Sequence, residues 1–303
     1  MKKKAAAGIL AITLVLAGLT GCGNNETAVD SQQAAESVSA AETGQTEGTE
    51  QVQESEKTQG TEQTEDGEED LLDKVKAAGV LKIGTEGTYA PYTFHDDSNE
   101  LTGFDVEVAE KIAEKLGVEA EFVETKWDSI IAGLDAGRFD IIVNQVSISE
   151  ERLEKYDFSV PYTYTHGALI VKGNDEEITG FDKIAGKKAA QSLTSNWAEL
   201  AEENGAEIVS TDGFNQSVEL VLAGRADLTL NDDLTYYDYV NQKPDADLKI
   251  AALSEETSDS AVMIRKGNPK FVEAVNKALE ELSAEGVLSE ISERYFGADV
   301  TKK

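Results

Sequence analysis

Cysteine is almost missing from this chain: Cys22 is the only one in 303 residues. A single cysteine excludes an intramolecular disulfide and any cysteine-rich zinc site. Positive charge is scarce too, with 27 Lys and Arg against 59 Asp and Glu and a formal net charge of −32. Nucleic-acid binding needs a basic footprint for phosphate contacts, and none is visible. The two histidines, His95 and His166, stand alone and read as structural or exposed rather than catalytic. There is no Walker loop and no Gly-x-Ser-x-Gly elbow. Gly84-Thr85-Glu86-Gly87 is too sparse for a nucleotide loop. Asp96-Asp97-Ser98-Asn99 lacks the rest of a calcium loop and reads as a solvated turn. Neither a metal nor a cofactor is called for.

What is present begins with an address. Lys2, Lys3 and Lys4 precede an uncharged apolar run at 5–20. That run is shorter than the about 20 residues of a membrane span and leads into small residues, so it reads as an export signal rather than a retained anchor helix. It ends Leu19-Thr20-Gly21-Cys22, which resembles the bacterial lipoprotein signal. The resemblance implies that residues 1–22 end at a lipidated Cys22, acylated for instance with palmitate, on the extracytoplasmic face of the cell membrane. A chain this negative is repelled by anionic lipid, so the lipid supplies the attachment; several acyl chains anchor stably where one does not.

Residues 23–70 hold no aromatic residue, and 14 acids against Lys57 alone. Such a segment cannot bury enough apolar surface to offset its ordering entropy. It reads as a disordered acidic linker spanning about 40 Å r.m.s.; an acidic partner-binding tail is the alternative.

Beyond it, strands and helices alternate. The pattern predicts strands at 80–85, 121–124, 139–143, 187–191 and 227–230. It predicts helices at 105–116, 128–136, 195–204, 214–223, 268–285 and 287–296, with Asp128 capping the second. This rhythm argues an α/β fold with mostly parallel sheets. Two βα series in about 230 residues suggest two lobes with a ligand cleft at the C-terminal ends of the strands.

Three segments then carry a resemblance. They are Gly84–Tyr92 with Leu101–Val106; Trp127-Asp128 through Gly137-Arg138-Phe139-Asp140 and on from Asn144 to Tyr162; and Gly224–Asp232. Together they resemble the polar amino-acid-binding proteins of bacterial ABC importers, solute-binding protein family 3, over essentially all of 75–297. Gly84–Pro91 with His95, and Asn144-Gln145-Val146, look most like the cystine-binding branch. The resemblance implies a periplasmic-binding-protein-like fold of type II, with two hinge strands. Lobe 1 would hold 71–165 and 259–303, and lobe 2 would hold 166–258. It also implies a monomer that closes on its ligand and docks on a membrane permease.

The site residues follow from that resemblance. Arg152 matches the arginine that grips the α-carboxylate, a task suited to two parallel guanidinium donors. Ser147 matches a small hydroxyl residue at the ligand's main-chain groups, and Gln145 matches a position offering its backbone carbonyl to the ammonium. Thr194 matches the second lobe's carboxylate contact and sits where a helix should begin. Leu193 stands where many members have glycine nearby. Asp232 matches the ammonium's acid; Asp233 is adjacent, and the spacing from Asp227 favours Asp232. Tyr89 and Trp127 match aromatic walls. Glu86 faces the cleft and would read a distal amino group, and Gln191 would line the pocket.

The resulting expectation is a non-enzymatic lipoprotein receptor that captures an amino acid, L-cystine first, for an importer. The alternatives are a receptor for another polar amino acid, a periplasmic cyclohexadienyl-dehydratase-like enzyme on the same scaffold, and a sensory module. Glu86 or Asp232 would be the enzyme's acid or base.

Overall fold

The computed structural model describes residues 70–303. The expected signal, Cys22 and the linker as far as residue 69 lie outside the described residues. Residue 70, assigned by composition to the linker, belongs to the fold. The Asp70 side chain accepts the Leu72 N–H at 3.0 Å and caps the helix Leu71–Ala78.

Two five-stranded sheets organise the described residues. In the first, Glu119–Glu124, Val80–Thr85 and Ile141–Ile142 run parallel, and Met263–Arg265 and Tyr156–Phe158 complete the sheet antiparallel. In the second, Glu207–Ser210, Lys188–Gln191 and Leu228–Asp232 run parallel, followed by Thr163–Lys172 and Leu248–Ser260, each antiparallel to the strand before it. The sheets are therefore mixed, where the alternating pattern predicts mostly parallel ones. A small antiparallel sheet of Thr88–Tyr89, Thr93–His95 and Leu101–Thr102 adds to the first lobe.

Burial follows the strand period. On Thr163–Lys172, Ala168 and Ile170 pack with Phe214 and Val218, while Leu169 and Val171 pack on the opposite face with Ile184 and Ala201. Both faces are thus covered by helices, as parallel-type sheets require. In the first lobe Leu81 and Ile83 pack with Phe104, Ile112 and Phe271.

Three local expectations are corrected. The strand predicted at 139–143 is reduced to Ile141–Ile142, and the ring of Phe139 instead packs against two glycines. A Cβ on Gly84 would lie 2.5 Å from that ring, and one on Gly133 would lie 2.7 Å from it. Asp128 is not a cap: its helix, Trp127–Asp135, begins after Lys126. The helix expected from Ser195 is Asn196–Glu203, and Ser195 caps it by accepting the Ala198 N–H.

The chain passes between the sheets along one antiparallel pair, Thr163–Lys172 with Leu248–Ser260, registered from Thr163↔Ser260 to Lys172↔Leu248. The expected lobe limits, 165/166 and 258/259, fall inside this pair. At its first-lobe end the Tyr162 N–H donates to Ser260 O, and Ala261 N–H donates to Val146 O.

Candidate ligand-binding site

Parallel strands in both lobes end facing one another. Thr85 leads to Glu86, Ile142 to Asn144 and Gln145, Gln191 to Ser192, and the fourth strand finishes at Asn231 and Asp232. Between them lies a cavity of about 530 Å³ counting its open mouth. Glu86, Tyr89, Trp127, Gln145 and Gln191 line it together.

The other expected site residues lie around this cavity rather than in its wall. Arg152 and Thr194 line a neighbouring hollow at the lip of the cleft. The Arg152 guanidinium stands 5.7 Å from the centre of the Trp127 ring and donates from Nη1 to Ser147 O at 2.9 Å. Burial pulls its pKa down, yet a guanidinium keeps its charge at neutral pH. The Ser147 hydroxyl faces the hinge, 2.8 Å from Ser258 Oγ.

Thr194 donates from both its N–H (3.1 Å) and its hydroxyl (3.0 Å) to one oxygen of Asp128 in the opposite lobe. The donors expected to hold a ligand carboxylate thus hold a protein carboxylate here. Asp232, 3% exposed, is reached from the first lobe by two phenols: Tyr89 at 2.7 Å and Tyr92 at 2.5 Å. Burial raises its pKa, and the hydrogen bonds from Tyr92, Tyr89 and Thr235 oppose that rise. Asp233 instead accepts the His166 N–H at 3.2 Å, which separates the two adjacent acids. Tyr89 is accordingly more than an aromatic wall, because its hydroxyl also reaches Asn231 across the cleft at 2.6 Å.

Among the described residues, Glu86 has no cationic hydrogen-bond partner. Desolvation pushes its carboxyl up to about 7, helped by the nearby Asp128 charge and opposed by hydrogen bonds from Asn144 and the Trp127 backbone. Asn144 fixes this corner: it donates to Glu86 Oε2 at 2.8 Å and accepts from the Glu86 N–H and the Thr85 hydroxyl. Gln145 has the left-handed φ of 50°. Its N–H and its Nε2 both donate, at 2.7 Å, to the fully buried Asp105. Gln191 donates to Leu230 O at 3.2 Å.

Sequence reasoning did not assign Asn144, Tyr92 or Phe214, although Phe214 also lines the cavity. Asn144 was findable: it follows the strand beside Val80–Thr85, so its position beside Glu86 follows from parallel register. The histidines have structural partners. His95 lies 3.3 Å from Glu124 and His166 Nδ1 lies 3.0 Å from Ser254 O. In the 96–99 turn, Asp96 accepts the Ser98 and Glu100 N–H groups. Among the described residues, no group of three or more His, Cys, Asp or Glu is placed to hold a metal ion, and no helix is long and apolar enough to cross a membrane.

Known proteins share this architecture. The chain is 47% identical over 233 residues to a probable amino-acid ABC transporter-binding protein of Haemophilus influenzae, covering 77% of this chain and 91% of the relative. It is 42% identical to the L-cystine-binding protein TcyA of Bacillus subtilis, over 77% of this chain and 87% of that one. It is also 42% identical to the L-cystine-binding protein TcyJ of Escherichia coli, over 78% and 89%.

Among solved structures, an ancestral arginine-binding protein bound to arginine superposes with a TM-score of 0.68 at 34% identity, covering 72% of this chain and 99% of that one. The unliganded, open L-cystine solute receptor of Neisseria gonorrhoeae gives 0.53 at 45% identity, over 77% and 99%. The more similar sequence superposes less well, in keeping with the hydrogen bonds that join the lobes here. The profile of the bacterial extracellular solute-binding proteins, family 3, matches residues 81–298, and the chain belongs to that family.

Proposed function

We propose that this chain is the receptor of an amino-acid ABC importer, that it binds L-cystine by closure of its lobes, and that it delivers the ligand to a membrane permease. The observation that carries this reading is the cavity between strand ends, walled by Glu86, Tyr89, Trp127, Gln145 and Gln191 with Arg152 against the indole. It offers acid, aromatic and guanidinium groups, the chemistry a polar amino acid needs. The relatives named for L-cystine support the choice of ligand.

In this reading Arg152 and Thr194 hold the α-carboxylate. Asp232, the Gln145 carbonyl and Ser147 serve the ammonium, and Tyr89, Trp127, Glu86 and Gln191 surround the side chain. Thr194 exchanges Asp128 for the ligand as the lobes open and reclose. The lobes divide as 71–165 with 259–303, and 166–258. The protein works as a monomer, without cofactor or bond chemistry. It is held at the extracytoplasmic face of the membrane by lipid on Cys22 through the acidic linker, after removal of the signal. Substituting Arg152→Ala removes the carboxylate's bidentate partner. We expect it to abolish amino-acid binding in calorimetry while leaving the circular dichroism spectrum unchanged; wild-type affinity would sink the assignment.

A further inference from the structure

Two buried side-chain polar atoms among the described residues lack a hydrogen-bond partner: Trp127 Nε1 and Gln145 Oε1. Both residues line the same cavity, and they are only 8% and 6% exposed. Folded proteins leave few such atoms, and each calls for an explanation. One is a donor and the other an acceptor. With Nε2 donating to Asp105 Oδ1 at 2.7 Å, Oε1 is the amide atom left unpaired.

Glu86 adds a carboxylate to the same wall, hydrogen-bonded to Asn144 rather than to a cation. Its buried unpartnered atoms are thus one N–H donor and one acceptor, with the Glu86 carboxyl beside them as a second acceptor. The complement of that set is an ammonium adjacent to a carboxylate. The groups proposed above for the ligand's first carboxylate, Arg152 and Thr194, lie outside this wall, with Arg152 just across the indole.

We infer that the cavity is a subsite for a second amino-acid head, in which Glu86 and Gln145 Oε1 take a distal ammonium and Trp127 Nε1 donates to a distal carboxylate. Resting on the receptor reading, this makes the site selective for ligands with two zwitterionic heads over those with a distal cation alone. Trp127 then acts through its N–H as well as its ring, and Gln145 through its side-chain oxygen as well as its backbone.

The test is calorimetry on the purified protein with three ligands. These are L-cystine, the mixed disulfide of cysteine with cysteamine, which lacks the distal carboxylate, and that of cysteine with 3-mercaptopropionate, which lacks the distal ammonium. Trp127→Phe keeps the ring and removes the donor. It should weaken cystine and the mercaptopropionate disulfide about tenfold more than it weakens the cysteamine disulfide. Glu86→Gln should weaken cystine and the cysteamine disulfide and spare the mercaptopropionate one. Equal weakening of all three by Trp127→Phe, or of none, would overturn the inference and leave the receptor standing. If the wild-type protein bound none of the three, the cystine-receptor reading itself would fall, and this inference with it.

Discussion

At the scale of single residues, the charges that matter most have neutral partners. Asp105 is fully buried and accepts hydrogen bonds from the Gln145 backbone and side chain and, at 3.1 Å, from the Tyr162 hydroxyl. Burial pushes its carboxyl up to about 7, against the pull of those bonds. The folded protein therefore keeps this proton between about pH 4 and pH 7, where the unfolded chain has already lost it. More protons on the folded state mean that stability falls as pH rises through that window. For Asp105 the change is on the order of 2–4 kcal/mol, and it is complete above about pH 7. Denaturant midpoints should drop from pH 5 to pH 8, and Asp105→Asn should flatten the drop. An unchanged slope in the variant would contradict this account.

Glu86 carries a second consequence of the same kind. With its carboxyl pushed up to about 7, the free protein holds a proton there at pH 6. A ligand ammonium favours the carboxylate and expels that proton. Titrations at pH 6 in buffers of different ionisation enthalpy should show proton release on cystine binding. The release should fade above pH 8 and be absent in Glu86→Gln.

At the scale of elements, the strand and helix succession was readable because hydrophobic periodicity and capping act locally. The helix Val287–Phe296 has the bounds that its periodicity and flanking glycines predict. What the sequence hid was long-range packing. Phe139 reads as a strand residue until its ring is seen between Gly84 on a strand and Gly133 on a helix. Asp128 reads as a cap until its carboxylate is seen meeting Thr194 from the other lobe. Arg152 and Asp232 were assigned to the ligand only through a resemblance, because nothing local in the sequence sets either apart from an ordinary charged residue.

The Gly84–Phe139 contact gives a prediction of its own. Gly84→Ala places a methyl inside the ring's contact distance in a packed core, and overpacking of this kind is destabilising by about 1–3 kcal/mol. Chemical denaturation would measure it. A loss no larger than that of an exposed-loop Gly→Ala control would show that the ring moves freely.

At the scale of the whole molecule, hydrogen bonds and an ion pair join the two lobes. Tyr89 and Tyr92 reach Asp232, Thr194 reaches Asp128, and Lys126 meets Asp212 at 2.7 Å. In the proposed reading these pairs occupy polar groups that the ligand takes over, so binding exchanges contacts. In that reading affinity depends on how much better the ligand satisfies Arg152, Thr194, Glu86 and the two unpaired atoms. A zwitterion with two heads has the matching donors and acceptors.

The measurement that tests this most directly is a calorimetric titration of the purified protein, freed of carried-over ligand by unfolding and refolding. The panel would be cystine, cysteine, arginine, lysine, histidine, glutamine and glutamate. The account predicts tight binding of cystine with weak or no response to the others. Tight binding of arginine or lysine with no response to cystine would contradict it.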